Sequence, residues 1–207
     1  GTTWIPDLIF AQCNALTTID MPNTVTAIGK SAFANCYRLE TIDIPDSVTS
    51  IGERAFINCS GLGAITIPNS ATSIGVLAFS GCDALTSVKI PGSITSIGEG
   101  AFSDCTNLTE LVVEDGNPAY SSINGALYNK NMTSLLFVPT QLTGVFEIPN
   151  TVTSIAGYAF YNCKKLTSVL IPDSIKSINA YAFQGCSGLT YVTIPNALTD
   201  IGVSAFQ

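Results

Sequence analysis

The sequence predicts a repeat solenoid, α/β in type but mainly β, in which coils of 23 residues stack one on the next. Three series predict it. Prolines recur at 22, 45, 68, 91, 149, 172 and 195, and phenylalanines at 10, 33, 56, 79, 102, 160, 183 and 206. Cysteines recur at 13, 36, 59, 82, 105, 163 and 186. Each series advances by 23 residues except across one gap of 58. A stack has no separate cores to count, so residues 1–207 read as a single elongated domain.

Each unit opens with Leu-x-x-Ile-x-Ile-Pro, as in Leu39 to Pro45. Ile42 and Ile44 alternate with Asp43, the period-2 pattern of a half-buried strand. Proline cannot donate to a ladder, so pairing stops at Pro45. Asn23, Asp46, Asn69, Gly92, Asn150, Asp173 or Asn196 follows the proline, and these types favour a turn. Ser47 to Gly52 is β-branched and reads as a second short extended piece. Gly29, Gly52, Gly75, Gly98 and Gly202 end that piece, with Asn179 in one copy, and both types accept φ > 0.

The Ala-Phe-x-x-Cys segment that follows is too short for a stable helix and predicts one or two helical turns. Asn35, Asn58, Gly81, Asp104, Asn162 and Gly185 precede the cysteines, where a left-handed residue would end such a turn. One coil alone cannot bury enough apolar surface to offset the entropy of ordering it, so stacking is obligatory. Identical coils run the same way, so their strands must be parallel, about 4.8 Å apart.

Composition narrows function. Charged residues are 11% of the chain and apolar ones 46%, which excludes a disordered chain. The net charge is −7 with eight scattered Lys and Arg, which argues against nucleic acid, where clustered cations meet phosphate. No run of about 18 apolar residues exists, so membrane insertion of this stretch is not expected. The chain opens without methionine at Gly1 and stops at Gln207 within a repeat, so a fragment of a longer protein is expected.

The consensus Leu-x-x-Ile-x-Ile-Pro-x-Ser-Val-Thr-x-Ile-Gly-x-x-Ala-Phe-x-x-Cys resembles that of the BspA-like leucine-rich repeat family over residues 4–113 and 145–207. The resemblance implies a right-handed arc with short parallel strands on the concave face and the Ala-Phe turn on the convex side. It also implies a bacterial secreted or cell-surface protein, adhesin-like, whose partner is an extracellular protein or a glycan. It carries over no catalytic residue and no cofactor.

Residues 114–148 depart from the pattern. Ala126-Leu-Tyr128 and Leu135-Leu-Phe-Val138 flank Asn129-Lys-Asn-Met-Thr133, a hairpin signal. Val138-Pro139 and Ile148-Pro149 both resemble the strand end, which predicts two rungs joined by a short connection. The insert reads either as a binding protrusion or as a variant coil that keeps the stack continuous.

Chemistry finds little purchase. The seven cysteines share one repeat position and form a ladder of buried thiols; disulfides between rungs are the alternative and would leave one over. Histidine is absent, which removes Ser-His-Asp and Cys-His systems, and without a Cys-x₂₋₄-Cys pair a zinc site is not expected. Asp20 and Asp43 share the outward strand position on successive rungs beside Glu40. Stacking would bring their carboxylates to about 5 Å, the spacing of a retaining glycosidase. A weak cation site or a solvated acidic patch are the other readings.

The outward strand residues Glu40, Thr41, Asp43, Thr66, Lys89, Glu110, Glu147 and Tyr191 are the expected ligand contacts. A merely solvated sheet surface is the competing reading. Tyr158, Tyr161 and Tyr181 fall on the opposite side, near the Ala-Phe turns. The most economical function is a non-catalytic, monomeric surface scaffold, with a structural spacer as the rival.

Overall fold

The computed structural model describes residues 3–207. In chain order its strands are β1 (Ala27–Ile28), β2 (Ser50–Ile51), β3 (Ser73–Ile74), β4 (Ser87–Ile90) and β5 (Ser96–Ile97). Next come β6 (Glu110–Val113), β7 (Tyr120–Ile123), β8 (Ala126–Asn129), β9 (Ser134–Phe137) and β10 (Gly144–Glu147). The last are β11 (Ser154–Ile155), β12 (Leu166–Leu170), β13 (Ser177–Ile178), β14 (Tyr191–Val192) and β15 (Asp200–Ile201).

The Ser-Ile piece, expected as a second short extended segment, makes the more regular ladder. Strands β1-β2-β3-β5 pair in parallel, as do β9-β11-β13-β15. Threonine hydroxyls reinforce it rung by rung: Thr49 donates to the Thr26 carbonyl at 3.1 Å and Thr72 to that of Thr49 at 3.2 Å. The Leu-x-x-Ile-x-Ile piece pairs as β4-β6 and as β10-β12-β14. At 39–44 and 62–67 no strand is assigned, yet the alternation of buried and exposed residues holds and Gly63 N–H still reaches the Glu40 carbonyl at 3.3 Å.

No helix forms among the described residues, so the expected helical turns are corrected. The reason lies in where the N–H groups go. Ala32, Ala34 and Cys36 donate back three residues within the coil, to Gly29, Ser31 and Phe33. Ser31, Phe33 and Asn35, lying between them, donate instead to Glu53, Ala55 and Ile57 of the next coil. With every second donor committed to the neighbour, an unbroken helical bond series cannot form. Left-handed backbone serves this weave: Asn35, Asn58, Asp104 and Asn162 have φ of 61°, 59°, 60° and 58°, as the sequence predicts.

The glycines ending the Ser-Ile piece are corrected too. Gly29, Gly52, Gly75, Gly98 and Gly202 have no positive φ; close stacking demands them. A Cβ on Gly52 would lie 2.7 Å from the Gly29 carbonyl carbon and 2.8 Å from the Ile28 carbonyl oxygen. Backbone cannot swing aside as a side chain can. Gly52→Ala is therefore expected to lower unfolding free energy by about 1–3 kcal/mol, read as a reduced urea midpoint. An unchanged midpoint would mean that the coils slide apart freely.

The core is a column of rings. Phe10, Phe33, Phe56, Phe79 and Phe102 stack with centroids 5.1–5.5 Å apart, and Phe160, Phe183 and Phe206 at 4.5 and 4.9 Å. Beside them runs the thiol ladder. All seven cysteines are free. Cys36, Cys59, Cys82, Cys105 and Cys163 are buried, but Cys13 is exposed and Cys186 half-buried, so the ladder of buried thiols does not reach the ends of the stack. Cys59, Cys82 and Cys105 donate to the carbonyls of Phe33, Phe56 and Phe79 at 3.1–3.2 Å. Burial pushes the Cys59 and Cys105 thiols up to about 12 and that of Cys186 to about 11. Such thiols are inert nucleophiles.

The insert is a three-stranded antiparallel meander, β7-β8-β9, in an otherwise parallel stack. The predicted hairpin at 129–133 joins β8 to β9, where Asn129 Oδ1 accepts from the N–H groups of Thr133 and Ser134. A second hairpin, not anticipated, turns at Asn124-Gly125 with φ of 51° and 78°, the signature of a type I′ turn. The two expected rungs are not copies of one another. β9 joins the Ser-Ile ladder, with Ser134 opposite Ser154, while β10 joins the other sheet against β12.

The meander also divides the core in two. Leu127, Phe137 and Tyr120 pack with the amino-terminal cluster, whereas Ala126, Tyr128, Leu135 and Val138 pack with the carboxy-terminal one. Phe137 meets Phe102 edge-on at 6.4 Å and Phe146 meets Phe160 at 5.4 Å, so an aromatic edge closes each column of rings. At the corner the two stacks still touch: Asn162 Nδ2 donates to Asp104 Oδ1 at 2.6 Å and Gly157 N–H to Glu99 at 2.8 Å. The variant-coil reading fits this burial better than a free protrusion.

Candidate binding surface

The alternation that buries Ile42, Ile44, Ile65, Ile67, Val88 and Ile90 turns their neighbours outward. Glu40, Thr41, Asp43, Thr66, Lys89, Glu110, Glu147 and Tyr191 are all exposed. The period places Asp20, Asp43, Thr66, Lys89 and Val112 in one row across successive coils, and Lys89 lies opposite Val112 in register. Glu110 falls in the neighbouring row, opposite Ser87. Beyond the meander Glu147 lies opposite Leu170, and Tyr191 opposite Ser168. The eight residues therefore share one side of the coils, in two groups separated by the insert.

Their electrostatics are sparse. Lys89 Nζ pairs with Glu114 at 2.7 Å, and the Gly92 N–H donates to the same carboxylate at 2.8 Å. The Lys89 hydrogen bond and then that N–H hold the Glu114 carboxyl below the usual carboxylate range. Glu114, the first residue of the insert, thus ties it to Lys89 and to the turn after Pro91, a role that sequence reading missed. Its signal was position alone, the strand end two residues past Val112. With Thr66 and Lys89 it borders a shallow cleft of about 260 Å³.

Asp20 and Asp43 stand exposed, and neither carboxylate has a hydrogen bond or ion pair among the described residues. No group of three or more His, Cys, Asp or Glu able to hold a metal is found among those residues. Tyr191 is 64% exposed, and Val145 and Leu170 add apolar area to the carboxy-terminal part of the same side, as Val112 does to the amino-terminal part. On another side Tyr158 stacks on Tyr181 at 5.1 Å and tilts against Tyr161 at 5.6 Å, so part of their ring surface is spent on one another.

One cleft was not foreseen. About 430 Å³ opens between the Asn124-Gly125 turn and β10, floored by Tyr128, Leu142, Phe146 and Leu166. Its polar rim is Asn124, Thr143, Glu147 and Asn150. No local motif announces it, because it arises where the meander replaces a strand of the outward-facing sheet.

Comparison with known proteins bears on this architecture. The family model described as BspA type leucine rich repeat region matches residues 3–131 and 130–207. A leucine-rich repeat protein of Eubacterium ventriosum is similar at 28% identity and TM-score 0.79, over 91% of this chain and 56% of that one. The pneumococcal vaccine antigen PcpA shares the fold at 22% identity and TM-score 0.73, over 90% of this chain and 58% of that one. A leucine rich cell surface protein of Faecalibacterium prausnitzii is 30% identical with TM-score 0.56, over 99% of this chain and 74% of that one. The chain thus spans little more than half the length of the first two. The comparison with curated proteins returns no match.

Proposed function

Since the chain belongs to the family built on the BspA type leucine rich repeat region, we propose that it is a non-catalytic binding scaffold of the bacterial cell surface, acting as a monomer on an extracellular protein or glycan. One observation carries the reading. The 23-residue period holds core and corner positions constant, while the outward row changes from Asp20 and Asp43 through Thr66 to Lys89 and Val112 and stays exposed. A surface whose chemistry varies along a rigid ladder suits recognition of an extended partner. The cell-surface description of the Faecalibacterium relative supports the location.

The test is binding of this chain to immobilised matrix proteins and glycans. Replacing Glu40, Asp43, Lys89 and Tyr191 together by alanine is expected to weaken capture about tenfold or more, since exposed aromatic and charged anchors dominate such contacts. Undiminished capture by the variant would remove this face as the site. The rival, a rigid spacer that holds another domain away from the cell, is favoured by the scarcity of exposed aromatics on the row; it predicts no ligand at all. Hydrolysis by Asp20 and Asp43 finds no support, because neither carboxylate is enclosed or oriented by a neighbour.

A further inference from the structure

The outward-facing sheet is missing one strand. β4 and β6 pair on one side of the meander and β10, β12 and β14 on the other, and no strand joins β6 to β10. The edge of β6 is covered. Leu111 N–H donates to the Gly125 carbonyl at 3.0 Å, and Val113 N–H to Ser122 Oγ at 3.1 Å. The edge of β10 is not. Gly144 and Ile148 donate to the Lys165 and Leu170 carbonyls, so alternation sends the N–H and C=O groups of Val145 and Glu147 the other way. Those groups have no protein partner among the described residues, and they face the 430 Å³ cleft.

We propose that this cleft is a strand-addition site, which takes an extended peptide of a partner protein along the free edge of β10. Three features specify the occupant. Its main chain must be extended, because Val145 and Glu147 offer alternate donors and acceptors at strand spacing. It must carry an apolar side chain level with Phe146, which enters the cleft toward Tyr128 and Leu142. It must also carry Lys or Arg level with Glu147, a carboxylate without a cationic partner among the described residues. The register shift between Gly144 and Val145 shortens the open edge, which suits one short segment better than a second sheet.

The repeat itself contains such a segment. In β4, Ser87-Val88-Lys89-Ile90, Val88 is inward and Lys89 is outward, in the phase the cleft requires. A labelled synthetic peptide of sequence Leu-Thr-Ser-Val-Lys-Ile is therefore the probe. Fluorescence anisotropy on the full chain is expected to show saturable binding with Kd below about 1 mM. Glu147→Lys should weaken it about tenfold or more and restore affinity for a peptide with Glu in place of Lys. Val145→Pro removes one main-chain donor and should weaken both peptides, with circular dichroism confirming the fold of each variant.

Absence of saturable binding up to about 1 mM would overturn the proposal. So would binding indifferent to Glu147→Lys with either peptide. The proposal stands apart from recognition by the rows, because the alanine variant at Glu40, Asp43, Lys89 and Tyr191 leaves the edge of β10 intact.

Discussion

Raising the pH from about 8 to about 10.5 is expected to unfold the protein, with the cysteine ladder as the main cause. Burial raises the thiols of Cys59 and Cys105 to about 12 and those of Cys82 and Cys163 well above their ordinary value. In the unfolded chain the same thiols ionise near pH 8.5. The folded pKa is thus the higher one, so the contribution is complete below the unfolded value and is lost as pH climbs toward the folded value. Each such thiol costs about 1.4 kcal/mol per pH unit in that window.

Cys59 and Cys105 together remove roughly 4 kcal/mol by about pH 10, a large share of the stability of an ordinary domain, and Cys82 and Cys163 act in the same direction. Circular dichroism along an alkaline titration reads the transition. Cys59→Ser and Cys105→Ser, which keep a donor for the Phe33 and Phe79 carbonyls but do not titrate, should flatten the fall. Stability independent of pH across this range would show that the ladder ionises in place.

Phe56→Ala should cost about 3–5 kcal/mol, the range for a buried aromatic removed from a core that cannot collapse. Phe56 is fully buried and lies between Phe33 and Phe79 at 5.1 and 5.3 Å, so truncation strips a ring face from each neighbour. The glycine-tight Ser-Ile ladder holds the coils at a fixed distance, which keeps the cavity open. Phe206, 41% exposed with one ring neighbour, is the control and should cost far less. Urea unfolding of both variants makes the comparison. Equal losses would mean that neither the burial of Phe56 nor its place inside the column sets the cost.

Core and corners were legible in the sequence because each recurs at a fixed position, and repetition turns a weak local preference into a strong one. The exposed row was legible for the same reason: Asp43 lies between Ile42 and Ile44 in every reading of the strand. What escaped depends on neighbours that local pattern does not contain. Ala-Phe-x-x-Cys resembles a helical turn until the Phe33 N–H is seen to serve Ala55 of the next coil. Gly52 looks like a φ residue until the carbonyl above it is placed. The Asn124-Gly125 turn could have been found, since that dipeptide between Ser-Ser-Ile and Ala-Leu-Tyr is a strong hairpin signal. The cleft could not: it depends on β9 and β10 lying on different sides of one coil.

The meander behaves as a grain boundary in a one-dimensional crystal. On either side of it the bonds between coils join residues 22 to 26 apart, so order spreads along each block at low entropic cost once a few coils have formed. Across it the bonds span other distances, as between Thr140 and Cys105 or Asn162 and Asp104, and the two columns of rings do not merge. Growth begun in one block therefore halts at residues 114–148 until the antiparallel strands assemble. The interruption gives the rod two independent points of nucleation, and one joint at which it can yield without either block melting.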